Sequence, residues 1–330
     1  MTVPDEFAAF RIHNDASGYR AGIEDVSLAQ LSPGEIVIRT AYSSINFKDA
    51  LAGTGQGKIL RQFPLVGGID VAGHVVASGD KRFAEGDAVL VTGCGLSETR
   101  DGGYSQYARV ESQWAIALPP GLSLRESMIL GTAGFTAALA LYRMLDNRQS
   151  PALGPLCVTG ATGGVGSLAV DIFNRAGFEV HAVSGKTQHA DYLHAIGATR
   201  VLARDALATT RPLESARFGG GLDNVGGAML ASLLAQTAPY GNVASAGLAA
   251  SHALDATVMP FIIRGVSLLG VASAGTERPI REAVWQRLAS DWKPAHLDRI
   301  CTREVGLDEL PEVFATMLAG GSLGRTLVRL

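Results

Sequence analysis

The hydrophobic grammar of the chain changes near Pro155. Up to about residue 120, apolar positions fall in short β-branched runs such as 35–41 and 87–92, each preceded by a Pro-Gly or Glu-Gly pair. Runs of that kind predict strands separated by turns, and helical spacing is scarce before Ser123. Residues 124–145 then carry alanine and leucine at helical spacing, interrupted by the flexible Gly131-Thr132-Ala133-Gly134. Beyond Pro155 the pattern alternates. It predicts strands at 156–159, 179–184, 200–203, 222–225, 242–246 and 266–271, with helices at 165–176, 189–196 and 228–237. Strands alternating with helices of about ten residues imply a parallel sheet covered on both faces. The remainder predicts helices at 280–290 and 307–319 and an apolar closing strand at 325–330. Such a strand is rarely left unpaired, so it is expected to return to the first domain's sheet. The Gly53-Thr54-Gly55-Gln56-Gly57 run has no preceding strand, and it reads as a flexible loop rather than a nucleotide turn.

Composition narrows the class. At about 150 residues per domain, 330 residues predict two domains. Apolar residues at 47% and charged residues at 18% supply buried cores and leave no case for disorder. The 28 Lys and Arg against 31 Asp and Glu give a net charge of −3, without the basic field that nucleic acid or an anionic membrane requires. No stretch approaches the ~20 uninterrupted apolar residues of a membrane span. Met1-Thr2-Val3-Pro4-Asp5-Glu6 lacks the basic and apolar regions of a secretory leader. Cys94, Cys157 and Cys301 are far apart, as in a reduced cytoplasm, and no C-x-x-C supports a zinc lobe. A cytoplasmic protein acting on small molecules is the expectation.

The strongest chemical signal is Leu156-Cys157-Val158-Thr159-Gly160-Ala161-Thr162-Gly163-Gly164-Val165-Gly166. A buried strand runs into a glycine turn that opens a helix, which aims free N–H groups at a pyrophosphate. The spacing is G-x-x-G-x-x-G, and the strand before it and helix after it give it weight. At the end of the second strand an NAD site usually places an acid for the ribose 2′-hydroxyl. Here the residues are Ser184, Gly185, Lys186 and Thr187. A hydroxyl and a cation complement a 2′-phosphate, so NADPH is the expected cofactor.

The order of an all-β first part, a nucleotide fold and a closing Gly324-Arg325-Thr326-Leu327-Val328 resembles the medium-chain dehydrogenase/reductase superfamily over essentially the whole chain. Ser43-Ser44-Ile45-Asn46-Phe47-Lys48-Asp49-Ala50-Leu51, Gly68-Ile69-Asp70-Val71-Ala72-Gly73 and Gly131-Thr132-Ala133-Gly134-Phe135-Thr136-Ala137 look like its zinc-free quinone oxidoreductase branch. Val183-Ser184-Gly185-Lys186, Arg204-Asp205 and Val258-Met259-Pro260-Phe261-Ile262 resemble the acrylyl-CoA reductase (AcuI/YhdH-type) group. The resemblance implies an α/β chain: a GroES-like β-rich catalytic domain at 1–125, completed by about 275–330, and a Rossmann doubly wound parallel sheet at 126–274. It adds cofactor contacts at Phe47, Thr132, Thr136, Arg204, Asn224, Gly247, Leu248, Ala272 and Ser273, beside Thr162, Gly163, Gly164 and Val165 of the loop. It implies a homodimer paired along strand 266–271.

Zinc alcohol dehydrogenases of the superfamily place a cysteine, a histidine and a second cysteine at positions matching Asn46, Ile69 and Thr132. An amide, an aliphatic chain and a hydroxyl cannot hold tetrahedral zinc, so no metal is expected. Without that Lewis acid, the remaining chemistry is hydride delivery to an alkene conjugated to a carbonyl. Asn46 is the candidate for orienting the substrate, although asparagine also forms turns. Asp49 and Asp70 read first as structural carboxylates bonding backbone N–H groups around the cleft, Asp49 being also a catalytic candidate, and Arg325 either reaches the cofactor or substrate carbonyl or is a solvated terminal arginine. Tyr42, Tyr104 and water remain as proton sources. The leading reading is NADPH-dependent reduction of acryloyl-CoA to propionyl-CoA. Quinone or alkenal reduction and a non-catalytic NADPH-binding protein stand as alternatives. Lys58 and Arg61, after the Gly53–Gly57 loop, are candidates for gripping the phosphates of an acyl-CoA.

Overall fold

The structure, a computed structural model, describes residues 3–330; Met1 and Thr2 of the leader reading lie outside them. The chain forms two compact units. One contains the residues up to Thr132 with Ala274–Ala283 and Cys301–Leu330; the other contains Ala133–Ser273 and Val284–Ile300.

In the first unit, strands Phe7–Asp15 and Gly18–Val26 form a hairpin that the sequence pattern did not announce, and Leu65–Val66 pairs along it. A second sheet runs in the order Cys301–Val305, Arg325–Arg329, Ile36–Ser44, Asp70–Ser78, Ala88–Thr92, Ile116–Ala117, with Tyr107–Val110 also on Ile36–Ser44. The closing strand pairs antiparallel, setting Leu327 opposite Ser44. Phe10, Ile12, Tyr104 and Phe314 anchor one core, with the Phe10 and Phe314 rings edge-on at 5.9 Å. Helix Phe47–Thr54 packs on the same core and corrects the expectation of a flexible Gly53–Gly57 loop. Gly53 is the helix's penultimate residue, where a Cβ would lie 2.3 Å from the Phe314 ring. Gly55 closes the helix at φ 71° in the left-handed conformation that glycine adopts without strain.

The second unit is a six-stranded parallel sheet in the order Arg200–Ala203, Val180–Ser184, Leu156–Thr159, Phe218–Asp223, Thr237–Ser245, Ser267–Gly270. Numbered within the unit this is 3-2-1-4-5-6. The order reverses between Leu156–Thr159 and Phe218–Asp223, so the crevice for a ligand opens at their carboxyl ends. The strand predicted at 222–225 begins four residues earlier, because Gly219-Gly220-Gly221 lie inside the sheet. A Cβ on Gly221 would come 2.4 Å from the Cys157 carbonyl oxygen, so strand pairing there excludes side chains. Helix Leu124–Asp146 is long and apolar enough to cross a membrane, but most of it is buried within the protein.

Candidate active site

A polar cluster of the first unit centres on Asp70, which is fully buried at the start of its strand. A carboxylate with no water must be satisfied by donors. Asp70 accepts from Ser44 Oγ at 2.6 Å, Asn46 Nδ2 at 2.8 Å, the Thr132 N–H at 3.0 Å and Thr132 Oγ1 at 2.6 Å. The Thr132 N–H is available because helix Leu124–Asp146 is broken at Gly131, whose φ of 51° and ψ of −156° are not helical.

Asn46 starts helix Phe47–Thr54. Its N–H donates to Asp49 Oδ2 at 2.8 Å, and its Nδ2 donates to Asp49 at 3.1 Å as well as to Asp70. The other Asp49 oxygen accepts the Ile69 N–H at 2.9 Å. Burial, and after it the charge of Asp70, push the Asp49 carboxyl up to about 7 against these donors.

Arg325 is the counter-charge. Its Nε donates to the Ile129 carbonyl at 3.0 Å, Nη1 to the Ile45 carbonyl at 2.8 Å and Asn46 Oδ1 at 3.1 Å, and Nη2 to Ser44 Oγ at 2.7 Å. Nη2 also stands 4.0 Å from Asp70 Oδ2. Only 3% of the residue is exposed, so the alternative of a solvated terminal arginine is corrected: its donors are engaged inside the unit. The Asn46 amide is likewise engaged, its Nδ2 donating to two carboxylates. Tyr104 is buried, donates to the Ser44 carbonyl at 3.1 Å, and is held well above its ordinary range by burial and by Asp49. The hub therefore joins Asn46, Asp49, Thr132 and Arg325. Phe47 is exposed beside it. Ser44 and the Ile129 carbonyl belong to it as well, and only the Ser43-Ser44 dipeptide hinted at that.

In the second unit the glycine turn builds a tight strand-to-helix junction. Gly163 precedes helix Gly164–Arg175, and a Cβ on Gly166 would lie 2.3 Å from the Gly160 carbonyl oxygen. Thr162 Oγ1 meets Ser184 Oγ at 3.1 Å, and Ser184 Oγ accepts the Lys186 N–H at 3.0 Å. Arg204 lies against Gly185. Burial, then the charge of Arg204, lower the Lys186 ammonium from its usual range. Thr162, Ser184, Gly185, Lys186 and Arg204 thus form one cationic turn. At the sheet's reversal, Asn224 donates its N–H to Thr159 Oγ1 at 3.0 Å and its Nδ2 to the Thr159 carbonyl at 2.8 Å. Its Oδ1 is buried without a partner. Gly247 packs on the Asn224 backbone, Leu248 is exposed, and Thr136 Oγ1 donates to Ser273 Oγ at 2.9 Å. The sequence reading passed over Asp223, which is buried and accepts from Thr159 Oγ1 at 2.6 Å and from the Gly226 N–H at 2.6 Å.

These features can be set against known proteins. Residues 32–120 match the family described as Alcohol dehydrogenase GroES-like domain, and residues 164–290 that described as Zinc-binding dehydrogenase. The Ruegeria pomeroyi protein named acrylyl-CoA reductase AcuI is 44% identical over 311 residues, 94% of each chain. YhfP of Bacillus subtilis, named provisionally as a quinone oxidoreductase, is 45% identical over 98% of this chain and 99% of its own. Its crystal structure with NAD bound gives a TM-score of 0.95. The yhdH oxidoreductase of Salmonella enterica in complex with NADP gives 0.95 at 43% identity, over 98% of this chain and 99% of that one.

One of those family descriptions implies zinc, and the donors around Asp70 do not fit it. Asn46 Nδ2 and Thr132 Oγ1 turn hydrogens, not lone pairs, toward Asp70, while Ile69 offers only carbon. The Arg325 cation already faces Asp70. Among the described residues no three His, Cys, Asp or Glu side chains cluster as ligands would. Purified protein is expected to carry no stoichiometric zinc by elemental analysis and to keep its activity in chelator. One tightly held zinc per chain, lost together with activity, would refute this.

Proposed function

The chain belongs to the medium-chain dehydrogenase/reductase family, in the acrylyl-CoA reductase group of its quinone oxidoreductase branch, and on that premise we propose that it is an NADPH-dependent reductase of a small enoyl-CoA, converting acryloyl-CoA to propionyl-CoA. The observation that carries the cofactor assignment is the turn in which Ser184, Lys186 and Arg204 converge, the Ser184-Gly185-Lys186-Thr187 strand end itself carrying no carboxylate. Bound there, NADPH supplies a hydride to the β-carbon of the alkene, and a proton completes the α-carbon. Tyr104 is buried and bonded to a carbonyl, which leaves Tyr42 and water as the proton sources. Asn46, Asp49 and Arg325 act as positioning residues: together with Asp70 they fix the first turn of helix Phe47–Thr54 and the backbone at Thr132.

The test is NADPH oxidation with acryloyl-CoA, 1,4-benzoquinone and acrolein measured side by side. Fastest turnover of the CoA ester supports the reading, and preference for the quinone favours the function in the name of YhfP. No turnover of any substrate would leave a nucleotide-binding protein.

Two variants probe the recognition elements. Lys186→Asp places a carboxylate against the 2′-phosphate and removes a charge-assisted contact worth about 1.5–3 kcal/mol. The preference for NADPH over NADH is expected to fall at least ~10-fold; an unchanged ratio of kcat/KM values would sink the assignment. Lys58 and Arg61 are exposed, and their segment is anchored rather than free to swing, with the Arg61 N–H on the Glu98 carbonyl at 2.8 Å. Lys58→Ala with Arg61→Ala is expected to raise KM for acryloyl-CoA and to leave that for acrolein nearly unchanged, since only the ester carries phosphates. Equal effects on both substrates would make the segment structural. Strand Ser267–Gly270, at the end of the sheet order and just after the exposed Ile262 and Ile263 in sequence, supports pairing with a second copy.

A further inference from the structure

Glycine at 185 has no evident backbone reason. Its φ lies outside the positive range that favours glycine, and it follows the last residue of strand Val180–Ser184. It is also unlike Gly166 or Gly221, where the atom nearest an added Cβ is a backbone carbonyl oxygen. The three atoms nearest a Cβ built on Gly185 all belong to the Arg204 guanidinium group: Cζ and Nε at 2.6 Å and Nη2 at 2.9 Å. That cation makes no hydrogen bond or ion pair among the described residues. It lies across a turn whose other polar groups are already arranged, Ser184 Oγ being held by Thr162 Oγ1 and the Lys186 N–H. The Arg204 charge bears on the Lys186 ammonium across this turn, a like-charge pairing that a bound anion relieves.

We propose that Gly185 is a specificity-determining residue for a 2′-phosphorylated nucleotide: its missing side chain is the space in which the Arg204 guanidinium lies over the turn, ready to meet that phosphate. Gly185 acts through Arg204 rather than on the ligand. The neighbour that an alanine would push aside is the far end of a flexible side chain, so Gly185→Ala is a mild change for the fold and a direct one for the cation. This inference rests on the NADPH reading above.

The two are separated by binding of adenosine 2′,5′-bisphosphate and of 5′-AMP, measured by calorimetry on the full chain, where the difference reports the 2′-phosphate alone. The wild type is expected to prefer the bisphosphate. Gly185→Ala is expected to cut that preference about tenfold, the size of one lost charge-assisted contact. Arg204→Ala is expected to do the same, and the double variant no more than Arg204→Ala alone, because the displaced group is then already gone. A wild type indifferent to the 2′-phosphate would overturn the NADPH reading itself. A wild type that prefers the bisphosphate, with Gly185→Ala equally selective or with additive losses in the double variant, would overturn the role of Gly185 while leaving NADPH in place.

Discussion

Arg325→Met is expected to destabilise the protein by about 3–5 kcal/mol, the range for breaking a buried ion pair by removing one partner. The side chain is 3% exposed and donates to the Ile129 and Ile45 carbonyls, Asn46 Oδ1 and Ser44 Oγ. Methionine fills much of the volume but supplies none of these donors. Asp70 and Asp49 would then stand buried without the cation bonded into their cluster, and the raised carboxyl of Asp49 shows how little solvent relief is available there. Arg325→Lys restores the charge but not the planar fork that spans four acceptors, so its loss is expected to be intermediate. Urea unfolding of both variants measures this directly. A methionine variant as stable as the wild type would mean that Asp70 is satisfied by its neutral donors alone.

The parallel sheet was legible because each strand-to-helix step changes the hydrophobic period, and Leu156–Thr159 was read to the residue. Legibility failed where glycine carries structure rather than breaking it. Gly219-Gly220-Gly221 looks like a loop until the neighbouring strands are in place, and then it is the sequence that allows them to close in. Helix Phe47–Thr54 was missed because eight residues carry too little periodicity, although Asn46 and Asp49 have the spacing of a helix-starting pair. The Asp70 hub shows a different limit. Arg325 and Asn46 touch across 279 residues of sequence, and no local pattern states that a terminal arginine turns inward. Resemblance put these residues at the site. Only the folded arrangement shows that their hydrogen bonds are used on one another, which is what supports reading them as positioning groups.

The same hub fixes the expectation for Gly131. Its φ of 51° with ψ of −156° borders a region that essentially only glycine occupies, at a cost of about 1–3 kcal/mol for other residues. An added Cβ would also lie 2.6 Å from Asp70 Oδ2, 2.6 Å from Ser44 Oγ and 2.9 Å from Arg325 Nη2. None of the three can retreat without breaking a hydrogen bond to the other members of the cluster. Gly131→Ala is therefore expected to combine strain with a buried clash and to cost about 3 kcal/mol or more. Turnover should fall as well, because the Thr132 N–H and hydroxyl leave Asp70 when the break in the helix shifts. Gly177→Ala isolates the first contribution: Gly177 has φ 89° and nothing within 4 Å of an added Cβ, so it reports conformational strain alone. Denaturant midpoints of the two variants give the comparison. If Gly131→Ala loses no more than Gly177→Ala and keeps its turnover, the close approach at Asp70 does not hold the site together, and Thr132 is positioned by something other than the break at Gly131.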